Sequence, residues 1–81
     1  MNKYQKALII TMEECGELTQ ACSKVLRHGF IEKRHIDSLY EEIGDVVAMI
    51  AIIQQMYDID PEILDSYVSK RLDKMQRPEY L

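Results

Sequence analysis

Four carboxylates stand in two matched pairs, Glu14-Cys15-Gly16-Glu17 and Glu42-Ile43-Gly44-Asp45, the two acids of each pair being three positions apart. On a helix this spacing sets both side chains on neighbouring turns, about 5 to 6 Å apart, where both can reach one point. Like charges so close repel, and burial disfavours each ionised form, so two such pairs call for something positive. Lys or Arg side chains could supply it, or the helices could turn the acids into solvent. A cation is the sharper reading. An all-carboxylate donor set selects a hard metal, Mg²⁺ first and Mn²⁺ next, whereas Zn²⁺ would come with thiolate or imidazole. Mg²⁺ keeps several waters and commonly shares its shell with substrate phosphates, so a phosphate-bearing ligand follows.

The acids must be placed by helices. At 100° per residue, Ala7, Ile10, Leu18, Ala21 and Val25 fall within about 40° of Glu14, and Glu17 lies about 60° to one side. Val46, Met49 and Ile53 fall within the same arc of Glu42, with Asp45 about 60° away on the corresponding flank. Both pairs therefore belong to core-facing helix surfaces. The device is an internal repeat: Glu13-Glu14-Cys15-Gly16-Glu17-Leu18 recurs as Glu41-Glu42-Ile43-Gly44-Asp45-Val46. Glu13 and Glu41 point about 100° away from their neighbours, toward solvent or a role in orienting ligands. The far side of the second helix carries Gly44, Ala48, Ala51 and Gln55, a small-residue face suited to a partner subunit or to cover by a third helix.

Punctuation along the chain defines the elements. A first helix is expected from about Asn2 to His28, stopped by Gly29 in a left-handed conformation with Phe30 packing back on Val25. Gly29 to Asp37 shows no clear period and reads as a loop or one short turn. Ser38 with Glu41 fits a capping box, which starts a second helix running to about Tyr57. Asp60 caps a third, with Pro61 at its first position and Ile59 and Leu64 as a hydrophobic staple; it ends before Pro78. The fold class is all-α, a small antiparallel bundle of three main helices.

Composition agrees. The 81 residues hold 3 Gly and 2 Pro, with 47% apolar and 30% charged, too apolar for disorder and too turn-poor for a sandwich or barrel. Residues 1–81 form one domain. A chain this short buries only about 60% of its unfolded surface, so assembly of the helices into an oligomeric bundle, dimer or tetramer, is expected. Ten Lys and Arg against 14 Asp and Glu give a charge of -4, which argues against a nucleic-acid partner. Without the four paired acids the two signs balance, so the deficit is local to one site. Cys15 and Cys22 are about 10 Å apart along a helix and cannot bridge, and they read as reduced core thiols. The longest apolar run, Val46 to Ile53, is far short of the roughly 20 residues that cross a bilayer, and no secretory leader is visible. A cytoplasmic protein without a membrane partner is expected. His28 reads as a partner for the negative end of the first helix and His35 as a solvated loop residue.

The fuller forms EECGEL and EEIGDV resemble the signature of the MazG-like all-alpha nucleoside triphosphate pyrophosphohydrolases: Glu-x-x-Glu, a variable spacer, then Glu-x-x-Asp on a second helix. The resemblance is strong over about Tyr4 to Ile53 and looser over the third helix. It implies Mg²⁺ ligation by Glu14, Glu17, Glu42 and Asp45 as the catalytic acids, an oligomeric bundle, and cleavage of an NTP or dNTP to the monophosphate and pyrophosphate. Metal-activated water would be the nucleophile, with no covalent intermediate. Family members often carry Asn-x-Lys-Phe in the following helix; here Ser69-Lys70-Arg71-Leu72 occupies that place, and Arg71 keeps the cation for phosphate. Lys24 and Lys74 are further substrate-binding candidates, as are Arg27 and Arg77. A di-iron bundle would need Glu-x-x-His, which neither motif supplies. Other readings are a sister activity on phosphoribosyl-ATP, and a non-catalytic oligomeric regulator or nucleotide-binding module.

Overall fold

The computed structural model describes residues 1–80 as three helices, α1 (Lys3–His28), α2 (Lys33–Met56) and α3 (Pro61–Met75), with no strand among the described residues. Helix α1 starts in a reciprocal capping box: the Gln5 backbone N–H donates to Asn2 Oδ1 at 2.9 Å, and the Asn2 N–H donates to Gln5 Oε1 at 3.2 Å. It stops at Gly29, whose φ of 84° is a conformation glycine takes freely. Its ψ of 169° sends the chain out extended, so no Schellman turn closes there and Phe30 stays 61% exposed instead of packing on Val25. The Schellman bond occurs at the end of α2, where the Ile59 N–H donates to the Gln54 carbonyl at 3.0 Å across Asp58, held at φ 52°.

Helix α2 begins at Lys33, so the expected start at Ser38 is corrected: Ser38 and Glu41 lie inside the helix. Ile36 carries the apolar period of Leu39 and Glu42 back by one turn, and Lys33 Nζ meets Asp37 Oδ2 at 3.3 Å. These contacts extend the helix although its N-cap, Glu32, makes no side-chain capping bond. Helix α3 starts as its sequence signals, with Pro61 in first position and the Glu62 N–H donating to Asp60 Oδ1 at 2.9 Å.

Helices α1 and α2 form an antiparallel hairpin fastened at both ends. At one end the Tyr4 and Tyr57 rings meet edge to face at 5.8 Å, and the Tyr57 hydroxyl donates to the Tyr4 carbonyl at 3.0 Å. At the other, His28 and His35 stack at 4.8 Å. Between them runs a seam of Ala7, Leu18, Ala21 and Val25 against Val46, Met49 and Ile53. Helix α3 has no packing comparable to that of this pair, so a single chain forms a two-helix hairpin with a third helix standing off. The small-residue face of Gly44, Ala48, Ala51 and Gln55 is left exposed, not covered by α3. Cys15 and Cys22 are also exposed and unbridged, correcting their assignment to the core: both point well off the seam.

The molecule is a slab of 39 × 33 × 15 Å. Its radius of gyration is 15.3 Å, against about 11.7 Å for a compact chain of this length. Its accessible surface is 6722 Å², about 1,700 Å² above the roughly 5,000 Å² typical of a folded monomer of this mass. Ala7 and Ala21 are its buried apolar residues. No helix among the described residues is long and apolar enough to cross a membrane.

Candidate metal centre

The hairpin register brings the two acidic motifs together. Within this hairpin the Glu14 carboxyl shares a hydrogen bond with Asp45, and Glu17 is the charge that acts most strongly on Glu42. Each helix therefore meets the other's first acid with its own second. One carboxylate oxygen from each of Glu14, Glu42 and Asp45 lies within 4.8 Å of the other two. Glu14 and Glu42 are partly buried in the seam, as their place in the apolar arcs predicts, while Asp45 is exposed. Glu17 is exposed and outside this triad.

The electrostatics are those of an uncompensated cluster. Burial in the seam pushes the Glu14 carboxyl above the usual glutamate range, and Asp45 adds to the rise through its charge and a shared hydrogen bond, followed by Glu17 and Glu13. Burial likewise raises Glu42, with Glu17 the strongest of the charges acting on it, ahead of Asp45 and Glu14. Glu17 thus acts on the site through its field. Ion pairs among the described residues all lie between Glu32 and Asp37, so no Lys or Arg neutralises the four acids. Glu42 Oε2 is buried without a hydrogen-bond partner. An orphaned carboxylate oxygen facing two further carboxylates suits a divalent cation, whose charge would offset both burial and repulsion. Glu14, Asp45, Ala48 and Met49 line a cavity of about 200 Å³ here, leaving room for ligands that the protein does not supply.

The expected phosphate-binding cations lie elsewhere. Arg71 and Lys74 line a cavity of about 300 Å³ on α3 with Tyr67 and Lys70, and the Lys74 ammonium stands 5.2 Å over the Tyr80 ring. Neither lines the acidic cavity. Lys24 belongs to a third cavity, of about 290 Å³, at the tip of the hairpin with Arg27, His28, Arg34, His35 and Ser38. His35 is not a solvated loop residue: it is 8% exposed, inside α2 and stacked on His28. Arg34 and His35 were hidden by the reading of Gly29 to Asp37 as loop, and Ser38 by its reading as a helix cap. The signal that reveals them is the apolar period running Ile36, Leu39, Ile43, which continues α2 backward.

A family model described as the MazG nucleotide pyrophosphohydrolase domain covers residues 2–79. No curated protein and no solved structure matches the chain.

Proposed function

Because the chain belongs to the MazG nucleotide pyrophosphohydrolase family, we propose that it is a Mg²⁺-dependent hydrolase, Mn²⁺ substituting, that cleaves an NTP or dNTP to the monophosphate and pyrophosphate. The observation that carries this reading is the meeting of Glu14, Glu42 and Asp45 in the seam, with Glu42 Oε2 buried and unpartnered. Those three side chains hold the cation, and Glu17 joins them at the rim or holds a second. A cation bound there supplies charge neutralisation for the polyphosphate and acidifies a coordinated water. The protein's own part is preorganisation: packed helix faces fix Glu14 and Glu42, and because burial raises both carboxyls, cation binding strengthens as pH rises through their titration.

Residues 1–81 act as one domain in a homo-oligomer, dimer or tetramer. Support comes from the surface excess of about 1,700 Å² over a compact monomer, twice the roughly 800 Å² that each partner contributes to a standard interface. Assembly also offers a way to bring Arg71 and Lys74 of one copy to the acids of another. A cytoplasmic location belongs to the same proposal and fits two unbridged thiols.

The direct test is pyrophosphate release from a panel of NTPs, dNTPs and phosphoribosyl-ATP with Mg²⁺ or Mn²⁺. Turnover of at least one nucleotide is expected, with a loss of 100-fold or more in Glu42→Gln. Calorimetric Mg²⁺ binding without product from any substrate would replace the hydrolase by a nucleotide-binding or regulatory module.

A further inference from the structure

The cavity at the hairpin tip is chemically unlike the acidic centre. Lys24 and Arg27 come from the last turns of α1, and Arg34, His35 and Ser38 from the first turns of α2, with His28 stacked behind His35. The lining holds Lys24, Arg27 and Arg34 and no carboxylate; the acid beside it is Glu32, which Arg34 Nε holds at 2.9 Å. Lys24 and Arg27 make no ion pair among the described residues. His35 Nε2 is buried and has no hydrogen-bond partner; Glu32 Oε2 stands 3.4 Å away without hydrogen-bond geometry. Arg27 and His28 complement the negative end of α1, but Lys24 lies a turn back from that end and Arg34 on the positive end of α2, where free backbone N–H groups favour an anion. The cavity, three cations against one acid, and an orphaned ring nitrogen coincide.

We infer that this cavity is an anion subsite for a phosphate or pyrophosphate group, gripped by Lys24, Arg27 and Arg34 and hydrogen-bonded by His35 Nε2. Guanidinium forks match phosphate oxygens in geometry, and a neutral imidazole with its proton on Nε2 donates to one more. Lys24 lies seven positions beyond Glu17 on α1, about 10 Å of rise, so the subsite flanks the acidic centre along the same hairpin. The group bound is either the distal phosphates of a nucleotide seated at the acids or a free oligophosphate. That choice rests on the hydrolase reading, whereas the subsite itself does not.

Calorimetric titration of the full chain with inorganic pyrophosphate and phosphate, in EDTA so that no cation bridges anions to the carboxylates, separates the two. Wild type and Glu42→Gln are expected to bind pyrophosphate equally, and the exposed-site variants Arg27→Ala and Arg34→Ala at least 10-fold more weakly with unchanged helix content. His35→Gln keeps a donor and is expected to fall between them. No metal-free binding, or equal binding by the Arg variants, overturns the subsite. With Mg²⁺ and nucleotide, a KM raised 10-fold in Arg27→Ala at unchanged kcat identifies the substrate's own phosphates. An unchanged KM with weakened pyrophosphate inhibition identifies the free anion. Failure of the hydrolase reading appears differently, as absent turnover with metal-free pyrophosphate binding intact.

Discussion

Glu42 is the residue on which the acidic centre turns, because it is packed in the seam, surrounded by like charge and left with a buried oxygen unpaired. Its raised pKa has a definite sign for stability. Below the ordinary glutamate pKa, about 4.3, folded and unfolded chains are both protonated and burial costs nothing. As pH climbs through the folded value the carboxyl ionises against its neighbours, and stability of the metal-free protein falls. His35 works oppositely: burial first, then Arg34, His28 and Lys24, lower its pKa, so stability is lost as pH drops below about 6.5. The difference between two proteins isolates the carboxylate. In EDTA, Glu42→Gln is expected to melt above wild type at pH 7.5, with the gap closing toward pH 4.5, by calorimetry. Added Mg²⁺ should raise the Tm of wild type and leave that of the variant unmoved. These acids were legible in the sequence because spacing and apolar period agree on where they point. His35 was not, since its burial depends on a stacking partner seven residues away and on a helix start that no capping residue announces.

Helix ends were readable where a side chain makes the cap and misread where packing does. Asn2 and Asp60 carry out the capping their residue types suggest, while α2 begins at Lys33 on the strength of Ile36 and the His28–His35 stack. The turn out of α2 shows the same division. Gly29 looked the natural left-handed stop, yet the chain puts its Schellman bond across Asp58, an L-residue in a conformation that disfavours a Cβ. Asp58→Gly is therefore expected to stabilise the protein by about 0.5–1 kcal/mol in urea denaturation, the relief of strain exceeding the entropy glycine adds to the unfolded chain. The variant should leave pyrophosphate release unchanged, since the turn lies a full helix end away from Glu42 and Asp45.

At the scale of the whole molecule, the all-helical class and the three helices were legible in composition and punctuation, and the closing of those helices into one bundle did not follow. Helix α3 stands off the hairpin with its Ile63, Tyr67, Val68 and Leu72 exposed, and the face of Gly44, Ala48 and Ala51 stays open. Nothing in the order of residues distinguishes a helix that folds back on its own hairpin from one that reaches a neighbour's. Val47, on the flank of that open face, is 59% exposed, so Val47→Glu should cost a monomer under 0.5 kcal/mol. Sedimentation velocity is expected to show an oligomer for wild type and a smaller species with reduced helix content for the variant. The 15 Å thickness of the slab carries a last consequence. A body one helix-layer deep has little interior of its own, so in the oligomer proposed above the folded state would be a mass-action quantity: Tm is expected to climb with protein concentration, and dilution to melt the chain and silence the acidic centre together. In that oligomer the amount of protein present would set how much of it is folded, and specific activity would report abundance as well as chemistry.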